Sequence, residues 1–403
     1  MSGALDGIRV VELGRFVTGP EAGVLLADLG ADVVKVEDPR HGDPFRHYGE
    51  GGYAPPFRSL NRNKRSLALD IASPAGREIL LELIATADVL IENFRVGQAQ
   101  SWGWGYETLR ERFPRLIYCS ISGFGQVGPY RDRPGYDTVG VALSGLLSAF
   151  VDLAEPEPLN VSLADHLAGI YAGYGILAAL HARDRTGLGQ LVETSLLQSS
   201  VAFLAEYAST YFDSGVIPVK GARARGSVAW AFVAKDGKPF VVHLSSPPKF
   251  WRGLATVVGH PEWLEDERFA TAKARRANHP ALADALTDAF GTRPRHEWLT
   301  ALVAADVPCA PLNNLAEVFE DPQVQALGLE RTIRHPAMGD VRLVAPGVNL
   351  DRNPLIWEKA PPVLGEDTVD VLRELGVGDN VIAELAAAGL IRVADSAGPP
   401  AEN

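Results

Sequence analysis

Cysteine is nearly absent from this chain: 403 residues contain two, Cys119 and Cys309, far apart in sequence. A disulfide framework is thereby excluded, and a reducing compartment, the cytoplasm, is the expected location. No long basic run occurs, and the formal net charge is −12 with acids and bases mixed along the chain. Nucleic acid is therefore not an expected partner, although a local basic pocket for a phosphorylated ligand is compatible with that balance. No apolar run reaches the roughly 18–20 residues of a membrane span. The opening "MSGALDGIRVVELG" lacks the charged-then-apolar pattern of a secretion signal, so a membrane is not an expected partner either. The nine histidines are scattered without H-x-x-x-H spacing and no cysteine pair stands at ligand spacing, so no metal site is expected. A G-x-S-x-G nucleophile elbow is missing. The first βα junction, "ELGRFVTGPEAG", places its glycines at Gly14, Gly19 and Gly23, which is not G-x-G-x-x-G. A nicotinamide or flavin enzyme then rests on fold analogy and on Glu37, which closes the second strand where a ribose-binding acid would sit.

What is present is ordinary globular composition, 46% hydrophobic and 22% charged, at a length that favours two domains. Ile8–Leu13 reads as a buried strand, Pro20–Gly30 as a helix with proline at its start and glycine at its end, and Ala31–Glu37 as a second strand. "SPAGREILLELIATA" reads as a helix, and "DVLIEN" and Pro114–Ser122 as strands. Strands alternating with helices imply parallel βαβ units and an α/β fold. Residues 201–228 lose this pattern and read as a linker. Ala229–Ser245 reads as two strands joined at Asp236-Gly237, a strong hairpin signal, and helical segments follow it. The expected division is a large α/β domain over 1–200, the linker, a small α+β domain over 229–310, a return segment and second part of the large domain over 311–392, and a flexible tail over 393–403.

The stretch "NVSLADHLAGIYAGYGILAAL" carries a carboxylate, Asp165, at the mouth of a run of small and apolar residues. By itself it reads first as a helix N-cap and only second as a chemical group. Cys119 reads as a buried small residue inside a strand rather than as a nucleophile.

Four stretches, in this order, resemble the family III CoA-transferases, which include formyl-CoA transferase and carnitine CoA-transferase. They are "LDGIRVVELGRFVTGPEAGVLLADLGADVVKVEDP" with "GDPFR", "NRNKRSLALDI" followed by "ADVLIENFRVG", "ISGFGQVGPYRDRPGYD", and "LADHLAGIYAGYGILAALHARDRTGLGQ". "DERFAT", "VPCAPLNNLAEVFEDPQ" and "APPVLGEDTVDVLRELG" extend the resemblance to about residue 392. It implies a Rossmann-like large domain built from both chain ends, an inserted smaller domain, and an interlocked homodimer. It also implies acyl-CoA and a small carboxylic acid as substrates and partners, with no tightly bound cofactor. Asp165 stands at the place of the family's nucleophile, and the helix start around it would keep the attacking carboxylate ionised. Ala164, Ala168 and Gly169 would let a pantetheine arm approach.

Carried over position by position, the CoA pocket comprises Val17 and Thr18, then Arg40, Leu69, Asp70, Ile71 and Ala72, then Asn93, Phe94, Arg95 and Ser101, then Gly135, Tyr136 and Asp137. Arg40 and Arg95 are the phosphate partners this resemblance suggests, because guanidinium binds phosphate bidentately. Departures from formyl-CoA transferase are Val17 for a glutamine, Asp38 and Ser101 for arginines, and "GARARGS" (Gly221–Ser227) for a glycine-rich loop. They argue against oxalate and formate as substrates. Arg223 and Arg225 either face a charged acyl group or belong to a linker. The alternative within the fold is an α-methylacyl-CoA racemase, which uses histidine where Tyr136 stands. Tyrosine ordinarily ionises near pH 10 and histidine near 6.5, so the substitution favours transfer over racemisation. A protein that merely binds acyl-CoA would have no need of an acid at position 165.

Overall fold

The computed structural model describes residues 3–245 and 247–394. Most of the expected flexible tail, from 395 onward, lies outside the described residues. The chain divides into two compact units. The larger combines the chain up to Leu147, Glu157–Thr210 and the chain from Gly328; the smaller combines Ser148–Pro156 with Tyr211–Leu327.

In the larger unit six short apolar runs form parallel strands: β1 (Arg9–Glu12), β2 (Asp32–Glu37), β3 (Lys64–Leu69), β4 (Val89–Glu92), β5 (Ile117–Ser122) and β6 (Leu191–Ser195). The C-terminal strand Ile391–Arg392 pairs antiparallel with β3. Across the sheet the order is that strand, then β3, β2, β1, β4, β5 and β6. Successive residues of one strand point to opposite faces. Val11 joins Leu67, Leu80, Leu90 and Trp104 on one side, and its neighbour Val10 joins Leu26, Ile91, Ile117 and Ile176 on the other. Burial on both faces explains why these strands read as continuous apolar runs.

Helix α1 (Thr18–Asp28) follows β1, α2 (Pro74–Ala85) follows β3, and α3 (Asp137–Leu143), α4 (Leu163–Thr186) and α5 (Leu196–Phe203) surround β6. The small residues of α4 serve packing. Ala164, Ala168 and Ala172 are buried in the core, and a Cβ on Gly169 would lie 2.5 Å from the Glu21 Cβ of α1. Gly169 seats α4 on α1, and Ala164 lies against Gly140 of α3, so these positions serve helix packing. At 24 residues α4 is also long and apolar enough to cross a membrane by length and composition, with 44% of its apolar window buried. The sequence reading missed this because the run is built from weakly apolar alanines and glycines.

The smaller unit holds an antiparallel sheet of β7 (Ala229–Val233), β8 (Pro239–His243) and β9 (Cys309–Pro311). Its first two strands close at Asp236-Gly237, as the sequence predicts, with Gly237 at φ +75. Aromatic side chains, among them Phe232, Phe240, Phe290 and Trp298, fill its core. The 201–228 segment is not irregular: it carries helices Ala205–Ser214 and Ala222–Ser227. The turn residues Gly215, Pro218 and Gly221 fall between these helices rather than within them, so they separate helical pieces instead of marking one irregular linker.

A buried polar cluster lies where β1, β2 and β3 run side by side. Glu12, Lys35 and Lys64 are each 0% exposed. Lys35 Nζ reaches Glu12 Oε1 at 2.9 Å, Gly14 O at 2.7 Å and Asp43 Oδ2 at 3.0 Å. Lys64 Nζ reaches Glu12 Oε2 at 2.7 Å, Pro20 O at 2.9 Å and Asn61 Oδ1 at 3.0 Å. Burial works against the Glu12 carboxylate, but the two ammonium groups outweigh it and hold Glu12 below its ordinary value. Beside them burial pushes Lys64 down to about 8 in spite of Glu12. Glu12→Gln keeps the shape and leaves two buried cations short of their counter-charge. It should cost about 3–5 kcal/mol of stability, read by urea unfolding; a loss below about 1 kcal/mol would show that the cluster is not needed for the fold.

Candidate active site

The sheet order reverses at β1, which has β2 on one side and β4 on the other, and in open α/β sheets ligands bind beyond the strand ends at such a point. A cavity of about 560 Å³ lies there. The turn after β1 supplies Arg15, Phe16, Val17 and Thr18, the loop after β4 supplies Asn93 to Val96, and the end of β5 supplies Ile121 to Gly123. Phe45, Tyr48, the segment Arg131–Thr138, Ser162, Asp165 and Leu196 complete the wall.

Local chemistry builds each wall. Gly14 and Gly19 touch across the first turn: a Cβ on Gly14 would lie 2.7 Å from the Gly19 Cα, so neither position accepts a side chain. Asn93 laces this turn to the β4 loop. Its Oδ1 accepts the Arg15 N–H at 3.0 Å, and its Nδ2 donates to Arg15 O at 2.8 Å and Thr18 Oγ1 at 2.9 Å. Below it Glu92 is buried and accepts the Phe94 N–H at 2.8 Å; burial pushes this carboxyl up to about 7.

Asp165 is the third residue of α4, not its cap, and the Ser162 side chain at the N-cap makes no capping bond. The cap is Asp137, from the first turn of α3, whose Oδ1 accepts the Asp165 N–H at 3.1 Å. One carboxylate thus takes the helix-start N–H groups and leaves the other without them. Burial, then the negative charge of Asp137, push Asp165 up to about 7, with His166 pulling weakly the other way. The expectation that the helix start keeps Asp165 ionised is therefore corrected: another acid already occupies that start. His166 leans on Glu21, with Nδ1 and Oε2 3.2 Å apart, and that hydrogen bond holds the imidazole above its ordinary value.

Comparison with known proteins fits this arrangement. The family model described as CoA-transferase family III matches residues 5–368. The chain belongs to CoA-transferase family III. Succinate–glutarate CoA-transferase of Agrobacterium fabrum is 37% identical, over 92% of this chain and 95% of that protein. Succinyl-CoA:glutarate CoA-transferase of Homo sapiens is 34% identical, over 96% of this chain and 90% of that one. A solved structure described as a CAIB/BAIF family protein from Brucella suis superposes with a TM-score of 0.83 at 36% identity, covering 93% of this chain and all of that one. The chain is accordingly a CoA-transferase, acting between acyl-CoA and acids.

Of the positions carried over from the family pattern, Val17, Thr18, Asn93, Phe94, Arg95, Gly135, Tyr136, Asp137 and Asp165 come together in the cavity wall. The others do not line it. Arg40 is exposed and paired with Asp38, Nη2 to Oδ2 at 2.8 Å. Ser101 donates to Gln98 O at 2.7 Å, within its own short helix. Leu69 is buried in β3 against Ile391, Ile71 packs on the core, and Asp70 accepts the Ala72 N–H at 3.0 Å. Arg223 and Arg225 lie on the helix Ala222–Ser227 of the smaller unit. Glu37 accepts from Arg46 through both oxygens and from Ser66, which removes the ribose-binding acid from the dinucleotide reading. Cys119 is buried within β5, on the face that packs against α4, and burial pushes its thiol up. The sequence reading missed Arg15, Phe16, Phe45, Tyr48, Arg131 and Arg133. The signal for them lay in the loops "GRFVTG", "GDPFRHY" and "YRDRPGYD", which leave the strands around the switch point. Among the described residues no group of three or more His, Cys, Asp and Glu side chains is placed to hold a metal.

Asp165 gives a prediction that needs no substrate. Its folded value of about 7 stands above the ordinary 3.8, so the folded state binds the proton more tightly between those values. The wild type therefore loses stability as pH rises from 4 to 7. Asp165→Asn cannot titrate, and its melting temperature should exceed that of the wild type by about 1–3 °C at pH 8. The difference should shrink toward pH 4; an offset that does not vary with pH would contradict the assignment.

Proposed function

We propose that this enzyme moves CoA from an acyl-CoA to a carboxylic acid by covalent catalysis through Asp165. The observation that carries the reading is a contrast among carboxylates. Glu12, Glu37, Asp28 and Asp43 are buried and each has a lysine or arginine partner. Glu92, buried and raised without a cation, accepts from Ser120 and from the Phe94 N–H and does not line the cavity. Asp165 faces the cavity with a raised value, and among the described residues no lysine or arginine pairs with it. A carboxylate left without a cation in a cleft is suited to nucleophilic work.

In the first step a carboxylate oxygen of Asp165 attacks the thioester carbonyl. The tetrahedral oxyanion collapses, the C–S bond breaks, and CoA leaves as thiolate from the new acyl-aspartyl anhydride. The thiolate attacks the aspartyl carbonyl, expels the donor acid as its carboxylate and leaves an aspartyl-CoA thioester. The acceptor carboxylate attacks that thioester and releases thiolate, which takes the acceptor's acyl group and frees Asp165. Helix α1 starts without a side-chain cap, so its first N–H groups beside Val17 and Thr18 are available to a developing oxyanion. Arg15, Arg95, Arg131 and Arg133 line the cavity and supply cations for phosphates or for a second carboxylate. Succinyl-CoA is the first donor to test, because the Homo sapiens relative is a succinyl-CoA:glutarate CoA-transferase and because the lining arginines suit a dicarboxylic acyl group.

The interlocked homodimer and the domain division carried over from the family are part of this proposal. The exposed apolar side chains Ile170, Tyr174 and Leu177 of α4 and Phe203 of α5 support a face that a second chain covers. The racemase alternative gains no support from the cavity, whose lining contains no histidine to move a proton at an α-carbon.

Incubation of the purified enzyme with succinyl-CoA, followed by intact mass and peptide mapping, should find a CoA-sized adduct on the Asp165 peptide, and hydroxylamine should convert it to an Asp165 hydroxamate with release of CoA. Asp165→Ala should lose at least about 10³-fold in transfer while still binding acyl-CoA. Deuterium exchange at the α-carbon of a branched acyl-CoA, with no adduct, would establish racemisation instead. The reactive form is the carboxylate, so kcat/KM should fall as pH drops through about 7. Asp137→Asn keeps the capping oxygen and removes the neighbouring charge, and should move that inflection to lower pH; a flat profile from about pH 5 to 8 would sink the assignment.

A further inference from the structure

The turn between β1 and α1 has a backbone conformation that its sequence does not favour. Phe16 lies at φ +61, in the left-handed region that residues with a Cβ rarely occupy. Something outside the turn must hold it there. Asp43, 2% exposed in the segment after β2, is placed to do so. Its Oδ1 accepts the Phe16 N–H at 3.2 Å and the Phe45 N–H at 2.9 Å. Its Oδ2 faces Lys35 Nζ at 3.0 Å, and its own N–H donates to Glu37 Oε2 at 3.0 Å. Lys35 in turn holds the carbonyl of Gly14, at the other end of the turn, at 2.7 Å. The Phe16 ring is thereby fixed in the cavity wall, edge-on to Phe45 at 5.5 Å and to Tyr136 at 6.4 Å between centroids.

We infer that Asp43 is a positioning residue for transfer: by accepting the Phe16 N–H it sets the strained turn, and with it the Phe16–Thr18 wall, against Asp165. This rests on the proposed reaction at Asp165. The competing role is that of a counter-charge for the buried Lys35, which contributes to stability and leaves the turn to other contacts. The two roles separate by chemistry. Asparagine at position 43 keeps an acceptor oxygen for the two N–H groups and loses the charge, whereas alanine loses both.

The test compares Asp43→Asn with Asp43→Ala in the full-length enzyme, using succinyl-CoA and glutarate, with kcat, KM and melting temperature measured for each. Both variants leave Lys35 without its partner at this position, so both melting temperatures should fall, and further for Asp43→Ala, which also gives up the two hydrogen bonds. Asp43→Asn should keep kcat within about fivefold of the wild type, and Asp43→Ala should lose about 10–100-fold, chiefly in kcat, as expected of a misplaced wall. Equal losses of kcat in step with the melting temperature would reduce Asp43 to a counter-charge and overturn the inference, as would an unchanged kcat in both. If Asp43→Ala does not fold, Asp43→Asn and Asp43→Ala are compared in the Lys35→Met background, where neither leaves a charge at this pair. A kcat lower for alanine than for asparagine then supports the inference, while equal kcat values overturn it. A wild-type enzyme that transfers CoA and forms the Asp165 adduct while the two variants behave alike refutes the role of Asp43 only. A wild type that does neither overturns the proposed function and this inference together.

Discussion

Two ammonium groups at zero exposure, held around one carboxylate, organise the larger unit. Taking two lysines out of water is tolerable only if every N–H finds an acceptor, and here each lysine has three. Those acceptors are not scattered. They are the end of β1, the carbonyls at either side of the first turn, and the loops that follow β2 and precede β3. Satisfying the two charges therefore fixes the backbone from which the cavity is built. The same cluster explains the glycine spacing that fails as a dinucleotide motif. Gly14 and Gly19 are glycines because they touch each other, and Gly23 is one because a Cβ there would fall 1.8 Å from Glu12 Oε2. The pattern makes room for a buried ion cluster, not for a pyrophosphate.

Against that background Asp165 is an exception: it lines the cavity, and among the described residues no lysine or arginine pairs with it. Natural proteins keep strained or poorly compensated groups where function needs them, at a cost in stability. Asp137 sharpens the exception twice, by taking the N–H groups of the α4 start and by adding a like charge beside Asp165. A carboxylate that shields another from its stabilising donors is a simple way to raise basicity without burying a charge deeper.

The parallel sheet was legible because its strands are buried on both faces and read as apolar runs. The hairpin at Asp236-Gly237 was legible because turn chemistry is local. Asp165 was found through the motif around it, since a single acid at a helix start is otherwise an ordinary cap. What the sequence hid was mostly long-range. Asp137 caps a helix whose start lies more than twenty positions away, and the Asn93 bonds to the Arg15 turn span 78 positions. Other misses were local and readable. Arg40 follows Asp38 by two residues and is claimed by it, so its availability to phosphate was doubtful on proximity alone. The small residues of α4 were assigned to ligand access when close helix packing asks for the same composition.

The raised value of Asp165 has a consequence for the order of events in the proposed mechanism. The acyl-aspartyl anhydride has two carbonyls, and CoA thiolate can attack either. Attack at the acyl carbonyl expels Asp165 and returns to the starting thioester; attack at the aspartyl carbonyl expels the donor acid and moves forward. Departure favours the weaker base. Burial and the Asp137 charge raise Asp165 above an ordinary carboxylic acid, so a donor carboxylate that departs toward solvent or toward the lining arginines leaves as the weaker base, and the forward branch is preferred. The same argument applied to the acceptor half runs the other way, and thiolate attack on the second anhydride again favours expelling the weaker base. Both halves therefore lean toward the aspartyl-CoA thioester. On the proposed mechanism, the environment that raises Asp165 therefore favours the aspartyl-CoA thioester on both sides of the cycle, and the acceptor acid draws the reaction onward by mass action.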